Sequence, residues 1–112
     1  MKFLFIDDNR EWLNAMKRCF SGENVIFAEC RSVEEALKAI ETHKPDAIFL
    51  DHQLTEEGNE GFEVAGKVAG GVKIYSTTSH GANSPVGREY QRRGIEHIGK
   101  TDLAKFKTII TE

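Results

Sequence analysis

No apolar stretch in this chain of 112 residues approaches the ~20 residues that a bilayer-spanning helix needs, so a membrane span is not expected. The first apolar run, Phe3 to Ile6, is too short for a secretory leader and is stopped by Asp7 and Asp8; a cytoplasmic location is expected. Two cysteines, Cys19 and Cys30, are too few for a disulfide framework and have no zinc-ligand spacing. Cys19 falls at helical spacing from Trp12 and Met16, which implies burial. Basic charge is scarce as well. The formal net charge is -3, and the dense run Arg88 to Arg93 is interrupted by Glu89, Tyr90 and Gln91 and reads as a solvated helix face. Direct nucleic-acid binding is therefore not expected. Repeats, linkers and low-complexity tracts are missing. What remains, 39% hydrophobic and 29% charged, is ordinary globular composition with room for a single domain, 1–112.

Strand-like and helix-like segments alternate from end to end. Apolar runs at Phe3–Ile6, Val25–Ala28, Ala47–Leu50, Val72–Ser76 and Ile95–Ile98 predict five strands. Trp12, Leu13, Met16, Cys19 and Phe20 recur at helical spacing, with Gly22 as a stop signal. Ser32 and Glu35 form a candidate capping box ahead of Ala36, Leu37 and Ile40, and Pro45 prevents that helix from continuing. Thr55 to Gly61 is acidic and glycine-bearing, a loop, before a modest helix carrying Phe62, Ala65 and Val68. Ser79 to Asn83 is a second loop. Ser84 and Pro85 open a helix that Gly94 ends, and Thr101 caps a last helix with Leu103, Phe106, Ile109 and Ile110. Such alternation implies an α/β fold, a doubly wound parallel sheet with helices on both faces.

In sheets of this kind functional groups gather beyond the carboxyl ends of the strands. That rule selects Asp7 and Asp8, Asp51, Thr77 and Thr78, and Lys100. Asp7 and Asp8 alone are as simply explained by helix capping, from Asp8 or Asn9, and Asp51 alone by strand termination. Together with Thr78 and Lys100 they make a chemical set. Two unit charges 4 Å apart repel by about 4 kcal/mol at an effective dielectric near 20, so clustered carboxylates call for a cation. Oxygen donors favour Mg²⁺. A carboxylate nucleophile, a metal, a lysine and a hydroxyl donor are the needs of phosphoryl transfer to Asp51.

The residues Phe5-Ile6-Asp7-Asp8-Asn9, Ser32-Val33-Glu34-Glu35-Ala36-Leu37 and His43-Lys44-Pro45-Asp46-Ala47-Ile48-Phe49-Leu50-Asp51 resemble segments of response-regulator receiver domains, and the likeness covers nearly the whole chain. The resemblance implies a flavodoxin-like strand order 2-1-3-4-5. It implies Asp51 as phospho-acceptor, Asp8 as a direct Mg²⁺ ligand, Asp7 as one acting through water, and the backbone carbonyl of Gln53 as a further ligand. It assigns Thr78, followed by the small Ser79, as the switch hydroxyl, Lys100 as the cationic clamp and His97 as the switch side chain. The implied partners are a sensor histidine kinase or a histidine phosphotransfer protein, and a downstream protein. The implied chemistry is at most the domain's own phosphorylation and dephosphorylation, with no outside turnover substrate.

Departures from the family pattern are several. Thr55 stands in place of a proline four residues past the acceptor, and the loop to Gly61 is longer by about two residues. Thr101 replaces the proline that normally follows the lysine, Gly94 sits one residue closer to Lys100, and His97 replaces an aromatic residue. The 55–61 loop, Thr101 and His97 support the alternative of a phosphorylation-independent interaction module, and the complete acid, hydroxyl and lysine set opposes it. A phosphatase acting on outside substrates is disfavoured by Gln53, where a second acid is needed. Gly61 to Val68 mimics a P-loop, but Val68 stands where Ser or Thr must be and no strand precedes it. His43 reads as a helix-end cation. His52, beside the acceptor, and His80, two residues past Thr78 where the family tunes phosphoryl loss, are open between function and surface exposure.

Overall fold

Every residue of Phe3–Asp7 is buried, as a strand covered on both faces must be. In the computed structural model, which describes residues 1–22, 24–68, 70–77 and 83–111, this strand is β1. It pairs in parallel with β2 (Val25–Glu29) on one side and β3 (Ala47–Leu50) on the other. β4 (Lys73–Ser76) and β5 (Glu96–His97) complete the expected order β2-β1-β3-β4-β5. The connecting helices are α1 (Arg10–Cys19), α2 (Val33–His43), α3 (Glu60–Lys67) and α4 (Pro85–Arg92), and α5 (Leu103–Thr111) follows β5.

Alternate residues of β1 and β3 feed two different cores. Phe3, Phe5 and Phe49 pack with Leu13, Met16 and Phe106 from α1 and α5. Leu4, Ile6, Ile48 and Leu50 pack with Ala36 and Val64 from α2 and α3, and with Leu54. The first core is aromatic: the Phe5 ring lies 4.5 Å from Phe49, 4.9 Å from Phe27 and 5.7 Å from Phe106. The second is aliphatic. The cores clamp β1 and β3 from opposite sides and fix where Asp7 and Asp51 emerge.

Local details correct several expectations. Cys19 is exposed, because α1 ends there and Phe20 turns into the aromatic core instead. Gly22 adopts no left-handed turn; Phe20 closes the helix on Met16 O. In the capping box Ser32 Oγ accepts from Glu35 N–H at 3.1 Å, but Glu35 Oε1 accepts from Arg31 N–H at 2.6 Å rather than from Ser32. Gly61 belongs to α3, and Val64 is that helix's fully buried apolar residue. β5 is only two residues long, although Ile98 N–H still reaches Ser76 O at 2.8 Å. Asp102, not Thr101, caps α5, its Oδ1 accepting from Lys105 N–H at 3.2 Å. α4 opens and closes as expected, with Ser84 Oγ accepting from Gly87 N–H at 3.1 Å and Gly94 at φ 76°. Its basic run is not wholly a solvated face, since Tyr90 is completely buried.

Candidate functional site

The sheet's ladder runs past the strands on the carboxyl side. Cys30 N–H donates to Asp7 O, Asp51 N–H to Ile6 O and Thr77 N–H to Leu50 O, each at 2.9 Å. These bonds place Asp7 and Asp51 side by side at 0% and 4% exposure. Asn9, not Asp8, caps α1, its Oδ1 accepting from Trp12 N–H at 3.0 Å. Asp8 is thereby released, half-buried, to the cleft. Carboxylate oxygens of Asp7, Asp8 and Asp51 lie within 4.8 Å of one another.

Lys100 Nζ bridges the pair, 2.8 Å from Asp7 Oδ2 and 3.4 Å from Asp51 Oδ1. Burial pushes the Asp51 carboxyl up to about 7, the Asp7 charge adds to this, and Lys100 offsets part of it. Burial likewise raises Asp7 against the opposing pull of Lys100. Burial works against the Lys100 ammonium, but the bond to Asp7 and the charge of Asp51 outweigh it and hold Lys100 above its ordinary value. One lysine thus stands among three acids.

That donor set fits a hard cation. Asp8, Asp51 and Gln53 line an open cleft of about 380 Å³, together with Asn9, Arg31, Thr55 and Lys100. Asp7 lies beneath it with both oxygens engaged, Oδ1 by Asn9 N–H at 2.9 Å and Oδ2 by Lys100. Asp8 and Asp51 thus present carboxylates to the cleft, and Asp7 lies behind them.

Thr78, Ser79 and His80 lie outside the described residues. Thr77 is buried at the end of β4. His97 is half-buried on β5, in register with Ser76. His43 ends α2 as expected. Gly61 to Val68 follows a loop and not a strand, as its failed P-loop pattern required.

The unusual loop past Asp51 has an organiser that sequence reasoning missed. Glu60 Oε1 accepts from Leu54 N–H and Thr55 N–H, both at 2.9 Å, and Glu60 Oε2 accepts from Thr55 Oγ at 2.6 Å. Burial alone would raise this carboxyl, but the Thr55 and backbone bonds hold it down at about 2. Thr55 is therefore a hydrogen-bonded anchor.

Also missed was Tyr90. His52 is 2% exposed, and its Nδ1 lies 2.7 Å from Tyr90 Oη. Phe62 packs against both rings, at 4.6 Å and 4.5 Å, and Arg93 covers its outer face at 4.5 Å. Burial, then the charge of Asp51, raises the Tyr90 phenol. Gly61 is required by this cluster: a Cβ there would collide with Tyr90 Oη and stand 2.7 Å from His52 Cα. The spacing of Gly87 and Tyr90, three apart on α4, was the available signal for an inward face.

The sequence matches the response regulator receiver domain family over residues 3–111. Among solved structures, a response regulator receiver protein from Burkholderia phymatum superposes with TM-score 0.72 at 23% identity, covering 99% of this chain and 94% of that one. The BeF3-activated N-terminal receiver domain of RstA from Klebsiella pneumoniae gives 0.71 at 20%, covering 96% and 97%. The receiver domain of the histidine kinase CKI1 from Arabidopsis thaliana, complexed with Mg²⁺, gives 0.62 at 22%, covering 97% and 90%. No curated protein matches the chain significantly.

Proposed function

The chain belongs to the response regulator receiver domain family, and from that premise we propose a phosphorylation switch in which Asp51 accepts a phosphoryl group from a phosphohistidine. The observation that carries the reading is Lys100 held between Asp7 and Asp51 while Asp8 faces an open, oxygen-lined cleft. An Asp51 carboxylate oxygen attacks phosphorus, and the bond from phosphorus to the donor imidazole breaks, its electron pair staying on the nitrogen. Lys100 then follows the new negative charge on the phosphoryl oxygens. Asp8, Asp51 and the Gln53 backbone carbonyl would hold Mg²⁺, with Asp7 behind water, and the ion would supply positive charge at the transferring group. Mg²⁺ in the CKI1 receiver supports the choice of ion.

The whole span 1–112 acts as one receiver unit of a two-component system. Its partners are a sensor histidine kinase or a phosphotransfer protein, and a downstream protein, in the cytoplasm. The described helices include none long and apolar enough to cross a membrane. Thr78 supplies the hydroxyl and His97 the side chain that responds on β5. Incubation with acetyl phosphate and Mg²⁺, read by intact mass, should add one phosphoryl group to the parent and none to Asp51→Asn. A parent that takes no phosphoryl group would favour a phosphorylation-independent interaction module.

A further inference from the structure

Lys100 sits in a stretch with little backbone support of its own. β5 ends at His97 and α5 begins at Leu103. The turn between them is closed by Asp102 N–H on Gly99 O and Leu103 N–H on Thr101 O, each at 3.0 Å, and neither bond holds the Lys100 carbonyl. A lysine side chain is a point charge on a flexible four-carbon stem. Its ammonium nevertheless stands within bonding distance of two carboxylates.

Trp12, on the first turn of α1, reaches both ends of this residue. Its Nε1–H donates to the Lys100 carbonyl at 3.1 Å. Its ring centre lies 5.0 Å from Lys100 Nζ. The indole is half-buried and is itself held by the tilted rings of Phe5 and Phe106, both at 6.0 Å. An aliphatic residue would fill the same apolar space against Phe5 and Phe106 yet supply neither contact. Core packing alone thus leaves the indole unexplained.

We infer that Trp12 is a positioning residue for phosphoryl transfer, fixing Lys100 at its carbonyl by a hydrogen bond and at its ammonium by the face of the indole ring. The inference rests on Asp51 being the acceptor. The bond to the carbonyl sets where the side chain starts. The negative ring face favours rotamers that keep the ammonium over it, on the path to Asp7 and Asp51. A clamp placed in advance needs no reorganisation when the phosphoryl charge arrives. Thr101 follows Lys100 where the family pattern has a rigid proline, so a tether from α1 does here what local backbone stiffness would otherwise do.

The test replaces Trp12 with 3-benzothienylalanine, which keeps the bicyclic shape and loses only the N–H, and separately makes Trp12→Phe. Phosphorylation of Asp51 by acetyl phosphate with Mg²⁺ should slow roughly fivefold with the isostere, the effect of one lost neutral hydrogen bond, and further with Trp12→Phe. In a Lys100→Ala background neither change should have an additional effect, read as beryllofluoride affinity by ¹⁹F NMR if that background reacts too slowly. Without any phosphorylation, the parent's indole N–H should exchange slowly. The Thr101 amide nitrogen, which shares a peptide with the accepting carbonyl, should shift in the isostere. Parent-like rates in the isostere, losses that add in full to those of Lys100→Ala, or an indole N–H exchanging as in free tryptophan would each overturn the inference alone. A parent that takes no phosphoryl group would overturn the acceptor reading and this inference with it.

Discussion

Tyr90 Oη lies 2.7 Å from His52 Nδ1, so α4 is hydrogen-bonded to the residue that follows Asp51. Asp51 and His52 share a peptide, so a buried bond links that peptide to α4. Tyr90→Phe should cost about 1–2 kcal/mol in urea unfolding, because it removes one partner of a buried pair. It should also reduce the amide shifts that a phosphoryl mimic induces over residues 84–94. Undiminished shifts would place the coupling elsewhere, on His97 and the β4 end.

Gly61→Ala should be the more damaging change, by about 2–3 kcal/mol, since its methyl would enter the space of Tyr90 Oη and approach the His52 backbone. Combined with Tyr90→Phe, which removes the hydroxyl, the cost should be less than the sum. Full additivity in equilibrium unfolding would mean that the two sites do not share this contact.

Between about pH 4 and 7, Asp51 should make metal-free stability fall as pH rises. The folded-state Asp51 carboxyl, raised to about 7, binds its proton more tightly than the unfolded one near 3.8. Its contribution is therefore neutral below the unfolded value, becomes unfavourable as pH climbs toward 7 and levels off above. Asp51→Asn should flatten that slope and raise the metal-free unfolding free energy at pH 8 by on the order of 1–3 kcal/mol. A variant with the parent's pH slope would assign the slope to Asp7.

Mg²⁺ should stabilise the parent by about 2.7 kcal/mol at 100 times its dissociation constant. Asp8→Asn should remove most of that gain while leaving Asp7 and Lys100 paired. Equal Mg²⁺ dependence of the melting temperature in the two proteins would exclude Asp8 as a ligand.

Glu60 gives the acid limb of the stability curve. Its carboxyl is held at about 2, below the unfolded 4.5, so its contribution is present above the unfolded value and lost as pH falls toward 2. Glu60→Gln should cost ~2 kcal/mol at pH 7 and make unfolding between pH 5 and 2 shallower. An unchanged acid limb would show that the loop bonds carry little energy.

Much of this was legible in the sequence because strand ends in a doubly wound sheet are topologically forced together. Asp7, Asp8, Asp51 and Lys100 needed only the order of elements to be assembled. The less legible residues act across elements at side-chain range. Tyr90 was hidden in a basic run whose charged members are solvated, and Glu60 in a loop whose acidity suggested exposure. Trp12 read correctly as a helix residue packed on the core, while its Nε1–H contact spans 88 positions of chain and leaves no periodic trace. Cys19 went the other way, because spacing alone does not say where a helix stops.

The two thiols end in chemically unlike places. Burial raises Cys30 to about 11, so it stays protonated and unreactive near neutrality, whereas Cys19 is open at the end of α1. Thiol reagents should therefore attach at one position without mutagenesis. That position shares a rigid helix with the chain's single tryptophan, seven residues or ~10 Å away. A dye on Cys19 and the indole beside Lys100 would form an optical pair whose two members are carried by one helix.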